Sequence, residues 1–105
     1  MNEPYTYALT PSALHDMDDA LRYISEKLCA RDSALRLLDD IQAAIEDACR
    51  FPHALTPVND ELLKARGYRK ILVRNYIVLL IPDDNKRVLN IMRVVYFARD
   101  YMREL

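Results

Sequence analysis

The apolar residues of this chain change period partway along it. Up to Arg50 they recur at steps of three and four, the spacing of one helix face, whereas beyond Gly67 they come in short β-branched and aromatic runs. Such a chain has to pack helices from its first half against a sheet from its second, an α+β arrangement. Its 105 residues give room for one core, so residues 1–105 are read as a single domain.

Tyr5, Tyr7 and Leu9 fall on one face of an opening strand, which Thr10-Pro11 stops. Thr10 is placed to cap a helix whose first position is Pro11, where a missing N–H costs nothing. Leu14, Met17, Leu21, Ile24 and Leu28 make its apolar stripe. A few residues later Asp32 or Ser33 is expected to cap a second helix, running to about Arg50 with Ala34, Leu37, Leu38, Ile41, Ala44, Ile45 and Ala48 on one side. So short a link makes the helices an antiparallel hairpin.

Residues 52–66 read as a connecting loop, with a turn of helix at Glu61 to Ala65. Gly67, the only glycine, predicts a position of positive φ. Strands are expected at 68–73, 76–81 and 88–95, joined by links short enough for antiparallel hairpins. Tyr76 to Ile81 is apolar throughout, as in a central strand covered on both faces. The order is β-α-α-β-β-β: a helical hairpin packed on one face of a small, mainly antiparallel sheet.

Charge is segregated. Residues 1–63 carry twelve acidic and five basic side chains, a balance of −7, and residues 64–105 carry four acidic and ten basic, a balance of +6. A segregated basic half suits docking on a polyanion or an acidic protein. No apolar run reaches the ~20 residues of a membrane span and the first residues lack a secretory pattern, so the expected location is cytoplasmic. Cys29 and Cys49 fall at opposite ends of the hairpin, about 25 Å apart at 1.5 Å per residue. Both are expected to be reduced packing residues. Neither has His or Cys at metal-ligand spacing, and no glycine-rich loop exists to hold a nucleotide, so no metal or cofactor is expected.

Three stretches carry a family resemblance: the opening strand with TPSALHDMDDALRYI, the segment FPHALTPVNDELLKARGYRKILVRNYIVLL, and the closing LNIMRVVYFARDY. Together they resemble the RelE/ParE superfamily of toxins from bacterial type II toxin–antitoxin modules, of the plasmid stabilisation type. The resemblance implies a growth-inhibiting toxin neutralised by a cognate antitoxin, as a homodimer or a toxin–antitoxin heterotetramer. It also implies one of two targets. One branch cleaves mRNA on the ribosome without a metal; the other inhibits DNA gyrase by binding it.

Metal-free RNA cleavage needs an activated ribose 2′-hydroxyl, a cation for the charged transition state and a proton donor for the leaving oxygen. Cleaving members usually place an arginine where Tyr76 stands here, and a histidine where Val95 stands, before Tyr96. Arg69, Arg93 and Tyr96 remain as catalytic candidates if the chain is a nuclease, with Lys70, Arg74 and Arg99 as target-binding candidates. Arg93 lies in an apolar strand where a charge is normally paired, and Asp100 is the expected partner. The net charge of −1 also sits poorly with ribosome binding. The favoured reading is therefore a gyrase inhibitor of the ParE type; the alternatives are a ribosome-dependent mRNA endoribonuclease and a non-toxic binding module.

Overall fold

The computed structural model describes residues 3–96. Strand β1 (Thr6–Leu9) leads into helix α1 (Pro11–Arg22), which passes through one π-helical turn (Tyr23–Lys27) before helix α2 (Arg31–Arg50) returns. A 3-10 turn (Pro52–Ala54), a two-residue strand β2 (Thr56–Pro57) and the short helix α3 (Glu61–Ala65) lead to the meander β3 (Arg69–Val73), β4 (Tyr76–Asp83) and β5 (Val88–Tyr96). The five strands form one sheet in the order β1-β5-β4-β3-β2. β1 runs parallel to β5, and the other neighbours are antiparallel.

Local chemistry explains the starts and stops. Thr10 Oγ1 accepts from the Ala13 N–H at 3.1 Å and Pro11 opens α1, as the sequence predicts. Asp60 caps α3 in the same way, accepting from the Leu63 N–H at 2.9 Å. Gly67 has φ +88°; an added Cβ would meet nothing closer than Ile81 at 3.7 Å, so the glycine answers a backbone demand and not a shortage of space. Helix α2 differs from expectation: it begins at Arg31, after Ala30, with no side-chain cap. The π turn brings the chain round directly, with the Ala30 N–H donating to Ile24 O, and the cap residues foreseen at Asp32 and Ser33 fall inside the helix.

The main core lies between the helical hairpin and the sheet. Ala13 and Met17 of α1, and Leu37, Ile41, Ile45, Ala48 and Cys49 of α2, pack on Val73, Val78, Leu80, Leu89, Ile91 and Val94, with Tyr5, Tyr7 and Leu9 at its margin. The stripe on α1 is narrower than its sequence period suggests, because Leu14 and Leu28 are exposed. Cys29 is exposed too, in the link between the helices with φ 49°, so it is not the packing residue expected, whereas Cys49 is buried. β4 is covered on both faces, as its unbroken apolar run requires. Ile77 and Leu79 point away from the hairpin into a second, smaller cluster with Val58, Leu63, Val95 and Tyr68, over which α3 sits.

Candidate functional site

The pleat of β3 separates the first two candidates. Arg69 lies opposite Leu80, which packs under the helices, and Lys70 opposite Leu79, which packs under α3. Cross-strand partners share a face, so these adjacent residues start on opposite faces of the sheet. Arg69 Nη1 donates to Leu55 O at 2.8 Å and ties down the chain before β2. Lys70 is half-buried beside exposed Leu72. Arg74, at positive φ in the β3–β4 turn, leans to the helix side and donates from Nε to Asp40 Oδ2 of α2 at 2.6 Å.

Arg93 is held at the edge of β5. Leu79 pairs with Arg93 and Leu80 with Ile91, which leaves Met92 as the extra residue of a β-bulge. β1 ends opposite Ile91, so beyond that point the outer edge of β5 has lost its neighbouring strand. Helix α1 takes over the exposed groups. Thr10 N donates to Ile91 O at 3.0 Å and Thr10 Oγ1 to Met92 O at 2.9 Å. Asp16 Oδ2 accepts from the Val94 N–H at 2.9 Å. The same carboxylate grips Arg93, taking Nε on Oδ2 at 2.7 Å and Nη2 on Oδ1 at 2.9 Å, with the two side chains only 18% and 11% exposed. The arginine of the closing strand is thus paired, as a charge among apolar neighbours should be, and the partner seen is Asp16. Asp100, the partner expected from sequence, and Arg99 lie outside the described residues.

Tyr96 ends β5 opposite Tyr76, the rings edge to face with centroids 5.6 Å apart. It stands three residues, about 10 Å, along the strand from Arg93. Arg69 and Tyr96 both start on the helix-side face, but opposite Leu80 and Tyr76, about 13 Å apart along β4, and Arg93 is held at the β5 edge. Asp16, which holds Arg93 and the Val94 N–H, is the site residue that sequence reasoning missed. The available signal was an acid six residues, nearly two helical turns, beyond a threonine cap, on the side of α1 that turns towards the sheet.

Two other surfaces stand out. An open groove of about 460 Å³ runs between α1, the π turn and α2, with Leu21, Ala34 and Leu35 as its apolar lining and Asp18, Arg22, Glu26 and Arg31 around it. At the far end of the sheet Tyr5 donates to Asp84 Oδ1 at 2.7 Å, His53 Nε2 stands 3.4 Å from the same oxygen, and the Arg87 guanidinium lies 5.0 Å over the Tyr5 ring. The hydrogen bond to Asp84 is the chief cause that pushes the Tyr5 phenol above its ordinary pKa, which disfavours a reactive phenolate. Among the described residues no group of three His, Cys, Asp or Glu could hold a metal ion, and no helix is long and apolar enough to cross a membrane.

Known proteins give this geometry a family. Among solved structures, the chain resembles the chromosomal ParDE toxin–antitoxin system of P. aeruginosa, with a TM-score of 0.70 at 15% identity over 88% of this chain and 95% of that one. It also resembles the RelBE2 toxin–antitoxin complex of Mycobacterium tuberculosis, with a TM-score of 0.61 at 23% identity over 90% and 99%. At these identities the likeness establishes the fold. No curated protein sequence matches the chain significantly. The family model for the ParE toxin of the type II toxin–antitoxin system parDE matches residues 7–101, nearly the whole length, and the chain belongs to that family of toxins.

Proposed function

We propose that this toxin arrests growth as a non-hydrolytic inhibitor of DNA gyrase, acting in the cytoplasm and silenced by a cognate antitoxin. The observation that carries the choice of target is the dispersal of the catalytic candidates. RNA cleavage needs a cation and a proton donor converging on one phosphate. Here Arg69 is engaged with Leu55 O on the helix side, Arg93 with Asp16 at the β5 edge, and Tyr96 packs on Tyr76 at the strand end. Lys70 and Arg74 are placed on different sides as well, and suit separate contacts with a protein surface better than a track along a nucleic acid.

The antitoxin reading is supported by the groove between α1 and α2, where exposed Leu35, with Leu21 beside it in the lining, offers an anchor for an amphipathic segment. Both similar structures are themselves toxin–antitoxin systems.

The deciding experiment adds the purified protein to gyrase with supercoiled DNA and, in parallel, to a translating extract whose mRNA ends are mapped. Accumulation of gyrase-cleaved DNA with intact mRNA is expected. Codon-aligned mRNA cuts with gyrase unaffected would sink the gyrase reading, and a culture that grows normally on induction would make the chain a binding module.

A further inference from the structure

The two edges of the sheet are finished differently. At one edge β2 is two residues long and carries Pro57, which lacks the N–H that a further strand would need, so this edge is protected against pairing. At the other edge β1 holds neither a proline nor a charge, and its register against β5 runs without a bulge. Thr6 N and Thr10 N donate inward, to Arg87 O and Ile91 O, so the alternation of a parallel ladder turns the N–H and C=O of Tyr7 outward. Helix α2 closes the start of this edge, where Cys49 O accepts from the Tyr5 N–H at 2.8 Å, and α1 closes its end from Thr10 onward. Between these two stops neither Tyr7 group has a backbone partner among the described residues.

An open groove of about 390 Å³ follows the same edge, with Tyr5, Thr6 and Tyr7 on the strand and Glu46, Cys49 and Arg50 on α2. Glu46 and Arg50 are exposed, stand one helical turn apart and enter no ion pair among the described residues. An occupant of this edge has to supply an extended strand and, beside it, a base and an acid in the reverse order. A second copy of the chain supplies both. A two-fold axis through Tyr7, normal to the sheet, sets β1 antiparallel to its copy, and the two Tyr7 residues exchange N–H···O bonds. The same axis lays the end of α2 antiparallel to its copy and brings Glu46 of each chain towards Arg50 of the other. We propose that the toxin self-associates through this edge, β1 to β1, so that two five-stranded sheets run on as one, clamped by reciprocal Glu46–Arg50 pairs. Neither gyrase nor RNA enters into this association. It also leaves the groove beside Arg31 and Leu35 open to an antitoxin, because that groove lies at the opposite end of α2.

Sedimentation equilibrium of the purified chain is the test. The mass should rise with concentration from 12.3 kDa towards twice that value. Tyr7→Pro removes an N–H that no internal bond uses, and the folded variant should stay at the mass of one chain. E46R and R50E should each weaken association about tenfold, because symmetry turns two attractive pairs repulsive at once. The double variant E46R/R50E should regain the wild-type affinity, a rescue that a merely structural role for either residue would not give. Should Y7P fail to fold, hydrogen exchange in the wild type still decides: the Tyr7 amide should exchange slowly in concentrated solution and fast in dilute. A wild type that is monomeric at every concentration overturns the proposal, as does a dimer that survives in folded Y7P or one indifferent to both charge reversals. A Tyr7 amide protected only when an antitoxin is bound gives the edge to that partner and overturns it too.

Discussion

The face of the sheet under the helical hairpin and the face under α3 are built from alternate residues of the same strands, yet they are closed to different degrees. On the hairpin side two long helices cover β3, β4 and β5, and the apolar residues of both layers interlock. On the other side a five-residue helix and Val58 cover Ile77, Leu79 and Val95, while Leu62 and Leu72 stay exposed and Lys70 lies beside them. Helices shorter than about three turns draw almost all their stability from packing. The α3 side therefore has an adaptable cover, and the hairpin side a rigid one. The first face holds the fold together, and the second has apolar and cationic groups left over for a partner.

The comparison breaks first on the core. Leu79 and Leu80 are adjacent on β4, both fully buried, and face opposite sides. Leu80→Ala should cost about 3–5 kcal/mol in urea unfolding, because the helices above it cannot settle into the cavity. Leu79→Ala should cost about 2–3 kcal/mol, since α3 can sink towards the sheet. Equal losses would mean that the two covers are equally rigid. Next in size is Asp16→Ala, which takes one carboxylate away from a largely buried guanidinium and from the Val94 N–H. A loss of about 2 kcal/mol is expected, below that of a fully buried pair because some solvent reaches both groups. A loss under about 0.5 kcal/mol would show that water replaces the carboxylate freely.

Much of this was legible in the residues before any coordinates. The Thr10-Pro11 start of α1, the positive φ of Gly67 and the doubly covered strand at Tyr76 to Ile81 rest on local rules, and they appear where those rules put them. The features that the period hid are non-local. A π turn adds a residue to the helical register, so the stripe drawn from Leu14 is out of step by Leu28, which is exposed; Leu14 is exposed already at the start of α1. The bulge at Met92 shifts the alternation of β5, and with it the side on which Arg93 emerges. The pairing of Arg93 with Asp16 spans 77 residues and depends on β1 ending opposite Ile91, which no spacing reveals. The separation of Arg69 from Lys70 has a simpler reason. Arg69 and Lys70 are consecutive in a strand, and a pleat sends consecutive side chains apart.

The other ion pair between hairpin and sheet sharpens the contrast at smaller amplitude. Arg74 and Asp40 meet at 2.6 Å, but both side chains are 46% exposed. Water screens such a pair and ordering two side chains offsets its attraction, so Arg74→Ala should lower stability by less than about 1 kcal/mol. In about 1 M salt the difference should vanish, because the screening length falls to roughly 3 Å. The Asp16→Ala loss should survive that salt, since its partners are shielded by α1 and β5. A salt-resistant loss at Arg74 would mean that the turn, strained at positive φ, depends on Asp40 for its geometry and not for its charge.

The smallest effect belongs to Cys49, which α2 buries on the hairpin side. Burial pushes its thiol above the ordinary pKa of 9.0. The unfolded chain then loses this proton at lower pH than the folded one, so the unfolded state binds fewer protons once pH passes about 9. The sign follows directly: stability is whole below that point and declines as pH rises through it. Urea unfolding of wild type and Cys49→Ala at pH 8 and pH 10 should show the wild type losing more over the interval. Tyr5, raised chiefly by its hydrogen bond to Asp84, contributes its own alkaline loss to both proteins and cancels in the comparison. Exposed Cys29 should meanwhile react at once with a thiol reagent while Cys49 waits for unfolding. Equal reactivity of the two thiols in the folded protein would show that the hairpin side opens as readily as the side under α3.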